Sequence, residues 1–330
     1  KSGSRLTAQS QRPLVEWATM RPEAAEQDLW DEFFSWAELH GAKGLEQVKI
    51  AYTAKDGGRV RSLIATCEVT SPIILPRCLL ITAATEAELA FKLTLEKSRM
   101  LAGLESFWSP WIRLLPTKAE LLQYHIAYAP HELLEVFAEL PVVGRVRTWH
   151  EHLERLWDAE GAAWQEQAKG MGLPELAYDD FLWASTVVQT RVYLPPPVYC
   201  FMPFADMMNT EPQPNMEVYD SLETDPPSEL EYYGVLPRED CQICSGQELT
   251  QAYRPVNNSE RLFRGGFLLD NNPVAVPRIS AFSCRAMLAA KIPADSPLVS
   301  SLRRLAAEHA QGCQAEALQD VSKISHGYIV

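Results

Sequence analysis

The chain has 330 residues, of which 47% are hydrophobic and 22% charged, a composition typical of soluble globular proteins with one large core or two smaller ones. Its formal net charge is -13 and it has no run rich in Lys and Arg, which argues against direct binding to nucleic acid. No stretch approaches ~18 uninterrupted apolar residues, so no membrane span is predicted.

The first 84 residues are predicted to hold a polar arm, one helix and a hairpin. The helix is indicated by apolar residues at helical spacing between Trp30 and Leu39. The hairpin is indicated by Asp56-Gly-Gly58, because glycine adopts positive φ values readily. The predicted elements are an arm over 1–27, a helix from about 28 to 39, and strands over 48–52, 60–67 and 78–81.

From about Thr85 onward the pattern becomes helical. Glu86–Lys97 has the clearest helical spacing, and the aromatic segment Phe107-Trp-Ser-Pro-Trp-Ile-Arg-Leu-Leu-Pro116 follows it. Further helices are predicted near 118–126, 131–139, 144–168 and 178–190.

After Pro195-Pro-Pro197 the chain is predicted to be irregular and strand-like. Residues 220–230 are acidic and contain prolines, which is typical of an exposed insertion. Helices return from Ser280. The order of elements therefore predicts an α+β protein whose strands are divided by a long helical stretch.

The cysteines do not predict a disulfide framework or a metal site. Their number, seven, is odd, and they are scattered and mostly lie in apolar stretches, which predicts reduced thiols in a core. Cys241-Gln-Ile-Cys244 is a single pair, whereas zinc requires about four ligands. The pair is interpreted as part of a hairpin. His150 and His152 lie on a charged helix, so no metal ligand is predicted among the histidines.

Three segments of the last third carry the most specific pattern. They are Phe201-Met-Pro-Phe-Ala-Asp-Met-Met-Asn-Thr210, Gly246-Gln-Glu-Leu-Thr-Gln-Ala-Tyr253 and Gly266-Phe-Leu-Leu-Asp-Asn-Asn-Pro273. In order and spacing they resemble the C-terminal half of SET-domain methyltransferases. The closest branch contains Rubisco large-subunit lysine methyltransferase and actin-histidine methyltransferase. Phe34-Ser-Trp-Ala-Glu-Leu-His-Gly-Ala42 and residues 107–116 extend the resemblance, which covers roughly 29–290.

The resemblance implies a SET domain of small β-sheets split by a helical insert and followed by a partial helical C-terminal domain. The boundaries it suggests are an N-terminal arm (1–27), the first part of the SET domain (28–84), the helical insert (85–190), the second part of the SET domain (191–279) and the start of a helical domain similar to substrate-binding domains (280–330).

The resemblance also implies a chemistry, the transfer of a methyl group from S-adenosylmethionine to a protein side chain, most often Lys. Such a reaction needs a neutral amine, although free Lys has a pKa of about 10.4, and polar oxygens that orient the amine. By resemblance, Tyr253 provides the catalytic hydroxyl. Phe267 corresponds to an aromatic residue that shapes the substrate channel.

The cofactor residues implied by the resemblance come from two segments. Arg191, in Gln189-Thr-Arg-Val-Tyr193, corresponds to the arginine that binds the cofactor carboxylate, a role suited to a guanidinium. Asp206 and Asn209 match the family pattern Asp-x-x-Asn-His. Thr210 stands where that pattern has His, so the ring contact to adenine is lost while the backbone at 210 remains.

A second departure lies in the first cofactor loop. The family carries Gly-x-Gly before Leu-x-Ala, and the aligned run here is Gly57-Gly-Arg-Val-Arg-Ser-Leu-Ile-Ala65. Arg61 and Ser62 stand where the second glycine is expected, so a permissive backbone position is lost. Gly58 partly substitutes for it if the loop has slipped in register.

Two functions therefore remain open at the level of sequence. One is a SET-type protein-lysine methyltransferase. The other is a catalytically weak or inactive SET subunit, a pseudoenzyme with a structural role in a larger, possibly organellar, assembly. The partners would be a protein substrate or assembly proteins. The expected compartment is reducing, a plastid or mitochondrion if a targeting peptide was removed before Lys1, and otherwise the cytoplasm.

Overall fold

The computed structural model describes most of the chain and shows small β-sheets before and after a long helical stretch. The described residues are 23–55, 58–193, 198–220, 232–270, 272–274, 287 and 296–309. The strands are β1 Val48–Lys55, β2 Gly58–Ala65, β3 Ile73–Pro76, β4 Ile81–Ala83, β5 Tyr199–Phe201, β6 Asn209–Thr210, β7 Met216–Asp220, β8 Tyr232–Pro237 and β9 Thr250–Gln251. The helices are α1 Glu23–Leu39, α2 Glu86–Leu101, α3 Ser109–Ile112, α4 Lys118–Tyr124, α5 His131–Val136, α6 Pro141–Gly170, α7 Tyr178–Arg191, α8 Asn258–Gly265 and α9, residues 297–309.

The hairpin of β1 and β2 directs one row of side chains into the main core. The strands pair antiparallel, with Ile50 opposite Leu63 and Tyr52 opposite Arg61. Ile50 and Leu63 are both buried. Side chains two residues apart on a strand share a face, so Arg61 lies on the same face as Leu63. The tip of the turn predicted from Asp56-Gly-Gly58 lies outside the described residues.

The single strand predicted over 78–81 is wrong. The chain instead forms β3, a short 3-10 turn at Arg77–Leu79, and then β4. Pro76 ends β3 because proline has no backbone N–H to continue a β-ladder. β3 lies at one edge of a sheet with the order β3-β8-β7, while β4 pairs with β5.

The helical stretch packs its aromatic residues into the chain's own core. α6 is 30 residues long, about 45 Å, and begins with a proline in its first turn, a position that proline favours. Trp111, a residue of α3, is fully buried. Trp183, in α7, is buried in the same core, and Trp108, Trp149, Trp157 and Trp164 are partly buried against it.

A parallel pairing of two very short strands brings distant segments together. Asn209 pairs with Thr250 and Thr210 with Gln251. Asn215 reinforces this junction, because its side-chain amide donates to the Glu248 carbonyl oxygen at 2.8 Å and its Oδ1 accepts from the Thr250 N–H at 2.8 Å. As a result, residues 201–210 and 246–253 lie side by side.

The end of the described chain packs against the helical stretch. α8 is capped by Asn257, whose side chain accepts from the Glu260 N–H. Gly266 follows with φ 74°, and a Cβ there would come within 2.6 Å of Cδ2 of Tyr124, so close packing requires glycine. α9 packs its buried Leu302 into the same apolar cluster as α8. The rest of the segment 280–330 is described only at 287 and 296.

Several sequence expectations concern features outside the core. None of the described helices is both long and apolar enough to cross a membrane. The same part of the chain contains no cluster of three or more His, Cys, Asp or Glu suited to a metal ion. The five described cysteines are free thiols. The prediction that most lie in apolar surroundings is wrong for these five, because only Cys200 is buried, while Cys67, Cys78, Cys241 and Cys244 lie at loops and turns with partial or full exposure.

Candidate active site

The residues singled out in the last third of the sequence converge at the β6–β9 junction. The Tyr253 N–H donates to Oγ1 of Thr210 at 3.2 Å, which fixes the backbone on either side of the short parallel pair. The Tyr253 and Phe267 rings meet edge to face, with centroids 6.3 Å apart. Two segments separated by the whole of α8 therefore form one aromatic wall.

The Tyr253 hydroxyl has a defined orientation. It donates to the Met208 carbonyl oxygen at 2.9 Å, so its oxygen lone pairs remain directed away from that carbonyl. Burial raises the pKa of Tyr253 above its ordinary value, while Arg191 acts in the opposite direction. The side chain is consequently a neutral phenol near pH 7, which orients other groups rather than removing a proton from them.

Arg191 and Asp206 form a buried ion pair behind Tyr253. Arg191 Nη1 donates to the Asp206 carbonyl oxygen at 2.8 Å and to its carboxylate Oδ2 at 3.0 Å. Trp111 Nε1 donates to the same Oδ2 at 3.2 Å. Burial is the largest single influence and would lower the pKa of Arg191, but the charge and hydrogen bond of Asp206, together with Tyr124 and Tyr253, outweigh it and raise the pKa. Arg191 therefore stays charged.

The ion pair leaves two polar atoms unsatisfied. Arg191 Nε and Asp206 Oδ1 are both shielded from solvent and have no hydrogen-bond partner among the described residues. Buried polar atoms nearly always have partners, because an unsatisfied one costs ~1–3 kcal/mol. Near Arg191, one hydrogen-bond donor and one acceptor are therefore available to bind a polar group of a ligand.

Asn209 connects this region to the β1–β2 hairpin. Its Nδ2 lies 2.9 Å from the Arg61 carbonyl oxygen, 3.2 Å from Oγ of Ser62 and 2.7 Å from a carboxylate oxygen of Glu248. The amide nitrogen is thus occupied by protein groups. Asn209 positions β2 against β6, and Ser62, one of the two residues at the expected glycine position, takes part in this contact.

Arg61 is the site residue that the sequence did not identify as a participant. The sequence pattern indicated only the loss of a glycine at this position. The structure directs the Arg61 side chain inward, where Nη1 donates to the Leu114 carbonyl oxygen at 2.6 Å. Burial and the nearby charge of Arg191 lower its pKa. Because the side chain leaves the middle of β2 on the core face, the alternation of β2 could have indicated this direction.

Gln251 and Tyr193 form a second contact that no sequence motif indicated. Gln251 Nε2 donates to the Ala205 carbonyl oxygen at 2.9 Å, and its side-chain amide pairs with the Tyr193 hydroxyl. These bonds hold the 205–208 turn that carries Asp206 and the Met208 carbonyl. Gln251 therefore fixes the acceptor to which Tyr253 donates.

Gly58 lies apart from these residues. It begins β2 and pairs with Lys55, three strand positions or about 10 Å from Arg61. Its assignment as a substitute cofactor glycine stays a prediction.

A surface cleft of about 450 Å³ lies away from these residues. It is bordered by Glu68, Arg238 and Cys241 among others, and none of the predicted site residues lines it.

Comparison with known proteins identifies the fold. Neither a protein-family model nor a curated protein matches the chain. Solved SET-domain structures do match. One is described as "Structure of Rubisco LSMT bound to AdoMet", with a TM-score of 0.59 and 15% identity over 74% of this chain and 57% of that one. Another is the "Crystal structure of the SET domain of LSMT bound to Lysine and AdoHcy", with a TM-score of 0.58 and 14% identity over 92% and 82%.

The class defined by this likeness is the SET fold, in its α+β form with a helical stretch between the strand-bearing parts. This confirms the fold class predicted from the motifs. The chain spans 57% of the length of the first structure that it matches. A third matching structure, the "Crystal structure of the SET domain of LSMT bound to MeLysine and AdoHcy", is 17% identical with a TM-score of 0.56.

Proposed function

We propose that this protein is an S-adenosylmethionine-dependent methyltransferase that acts on lysine side chains of proteins. The single observation that supports this most is the arrangement around Tyr253. Its oriented hydroxyl, the Phe267 ring and the charged Arg191 lie together within a SET fold. Structures with the same fold are bound to AdoMet, to AdoHcy, and to lysine or methyl-lysine.

The residues present fit a cofactor of this kind. S-adenosylmethionine, when bound, supplies a methyl group on a positively charged sulfur together with a carboxylate. Arg191 has the charge to bind that carboxylate, and its buried Nε has no partner among the described residues. Asn209 and Thr210 hold the backbone of β6, where the adenine side is expected by resemblance.

Tyr253 would orient the lysine amine. Its hydroxyl proton is directed to the Met208 carbonyl, so the phenol oxygen is an acceptor for an amine N–H. Since the phenol stays protonated near pH 7, it does not act as the general base. The amine must therefore lose its proton before or on entry to the site.

The surroundings favour a neutral amine. Burial between Tyr253 and Phe267 disfavours the ammonium form, and the positive charges of Arg191 and Arg61 act in the same direction. Deprotonation of a lysine is thus assisted by desolvation and by charge, without a carboxylate base. Asp206 does not serve as a base, because its Oδ2 is already bound by Arg191 and Trp111.

Calorimetric titration with S-adenosylmethionine tests the cofactor part of the proposal. We expect saturable binding to the intact chain and a loss of about tenfold or more in Arg191→Lys, which keeps the charge but not the planar fork. Lys49→Gln, an exposed change on β1, is the matched control and should bind like the original chain.

An intact, folded chain that shows no heat of binding would contradict the cofactor assignment. That outcome would favour the second function, a SET fold that serves as a structural subunit.

A further inference from the structure

A second guanidinium reaches the end of the site where Arg191 lies. Arg61 leaves β2 on the core face, and its Nη1 is held by the Leu114 carbonyl oxygen at the end of the segment that contains α3. A neutral carbonyl satisfies one donor of Arg61, and no carboxylate in the described part of the chain forms an ion pair with it. A guanidinium has five N–H donors in a planar fork, so further donors remain.

The carboxylates around these two arginines do not balance their charges. Asp206 forms its ion pair with Arg191 at 3.0 Å and also accepts from Trp111 Nε1. Trp111 is in the same turn as Leu114, whose carbonyl holds Arg61, so Arg61 lies near this pair without bonding to Asp206. Glu120 also acts on Arg61 from a distance, but its carboxylate closes the capping box of α4 at the Thr117 N–H. Glu248 bonds instead to Asn209. The two guanidiniums and the one carboxylate paired with them therefore carry a net charge of about +1, and such a charge is costly to bury without an anion.

We propose that Arg61 and Arg191 together bind the carboxylate of the cofactor, so that Arg61 makes the site select adenosyl ligands that carry a free carboxylate. This inference rests on the proposed function and deepens it. A glycine at this position can offer only its backbone. Arg61 replaces that contact with a charged side chain, which compensates for the lost glycine rather than simply obstructing the site.

The expected consequence is selectivity between AdoHcy and 5′-methylthioadenosine, two thioethers without the sulfonium charge. AdoHcy carries the carboxylate, whereas 5′-methylthioadenosine lacks the amino-acid end and keeps the adenosine. The intact chain should bind AdoHcy at least about tenfold more tightly, since charge-assisted hydrogen bonds are among the strong ones. Titration calorimetry of both ligands on the full chain measures this ratio.

Arg61→Gln separates recognition from folding. The variant should bind AdoHcy about tenfold more weakly than the intact chain does. Its affinity for 5′-methylthioadenosine should stay within about twofold of that of the intact chain, since only the carboxylate contact is removed. Retained binding of 5′-methylthioadenosine then shows that the site is folded. Arg61→Lys should fall between the two, because it keeps the charge without the fork. Lys49→Gln, on the paired strand, removes an exposed charge and should change neither ligand.

Each other outcome overturns the inference in a distinct way. If Arg61→Gln weakens both ligands equally, Arg61 only supports packing. If Arg61→Gln binds AdoHcy more tightly than the intact chain does, the Arg61 side chain obstructs the cofactor. If the intact chain binds both ligands equally, the selectivity is absent while the proposed function stands. If the intact chain binds neither ligand, the proposed function fails and this inference fails with it.

Discussion

Thr210, which stands where the family pattern has His, makes a hydrogen bond of its own in the candidate site. The sequence shows only that a ring is missing beside the adenine side. In the structure its hydroxyl accepts the Tyr253 N–H at 3.2 Å, so the residue supports the backbone that carries the candidate catalytic tyrosine. Thr210 therefore has a structural contribution independent of cofactor binding.

This contribution predicts a difference between two small substitutions. Thr210→Val keeps the shape but removes the acceptor, and it should lower the free energy of unfolding by about 1 kcal/mol, because the partly buried Tyr253 N–H loses its partner. Thr210→Ser keeps the hydroxyl and should lose less. Urea unfolding of both variants measures the difference. Equal stability of the two would show that the hydrogen bond contributes nothing.

Some site residues could be predicted from the sequence, whereas contacts that depend on the tertiary structure could not. Tyr253 and Phe267 could be placed at one site because the order of motifs constrains them, although their contact depends on the turn at Gly266. The bond from Arg61 to the Leu114 carbonyl and the bond from Gln251 to the Ala205 carbonyl could not be derived, since both depend on which distant backbone carbonyl lies opposite. A motif comparison matches residue types along the chain and carries no information about hydrogen bonds between a side chain and a distant backbone carbonyl.

At the scale of elements, the connection after α4 depends on a neutral histidine. His125 is almost fully buried; its Nδ1 accepts from the Ala127 N–H at 3.2 Å, and its Nε2 lies 3.4 Å from the Arg264 carbonyl oxygen. Burial lowers its pKa to about 4. The partly buried His150, on α6, and the Tyr124 ring are titratable groups that face it, and burial also lowers the pKa of His150.

This histidine predicts acid sensitivity with a defined sign. In the unfolded chain His125 would have a pKa of about 6.5, so the unfolded state binds its proton first as the pH falls. The stability it contributes is therefore present above pH ~6.5 and is lost as the pH falls towards ~4, by an amount on the order of 3 kcal/mol.

The measurement is urea unfolding between pH 7 and 4. His125→Asn keeps an acceptor for the Ala127 N–H but does not titrate, so its stability should fall less steeply with acid than that of the intact chain. His152→Asn, an exposed change on α6, is the control. Identical acid dependence in the His125 variant and the intact chain would contradict this account.

The elements themselves were predicted unevenly. The helix predicted over 144–168 is confirmed as α6, Pro141–Gly170, because its periodicity is long and uninterrupted. The strand predicted over 78–81 was wrong, because Pro76 and the turn after it divide a short apolar run into two strands. Strands of two residues such as β6 and β9 have no periodicity at all and exist only through their mutual pairing.

At the scale of the whole molecule, the SET fold was predictable from motif order but not from amphipathic patterns. Short strands in several small sheets give weak signals, whereas the junction of β6 with β9 requires specific polar residues such as Asn215. The segments 201–210 and 246–253, which form this junction, were readable as motifs although identity to the known structures is only 14–17%. Tyr253 and Arg191 lie near each other at this junction.

The activity proposed for this junction is the transfer of methyl groups to lysine. The most direct measurement is incorporation of labelled methyl from S-adenosylmethionine into N-methyl-lysine in a protein extract, detected by mass spectrometry, for the intact chain and Tyr253→Phe. The variant keeps the ring against Phe267 and should still bind AdoHcy, but it loses the orienting hydroxyl. We predict labelled methyl-lysine with the intact chain and about a hundredfold less, or none, with Tyr253→Phe. Equal incorporation by both proteins, or none by either while AdoHcy still binds, would contradict the account.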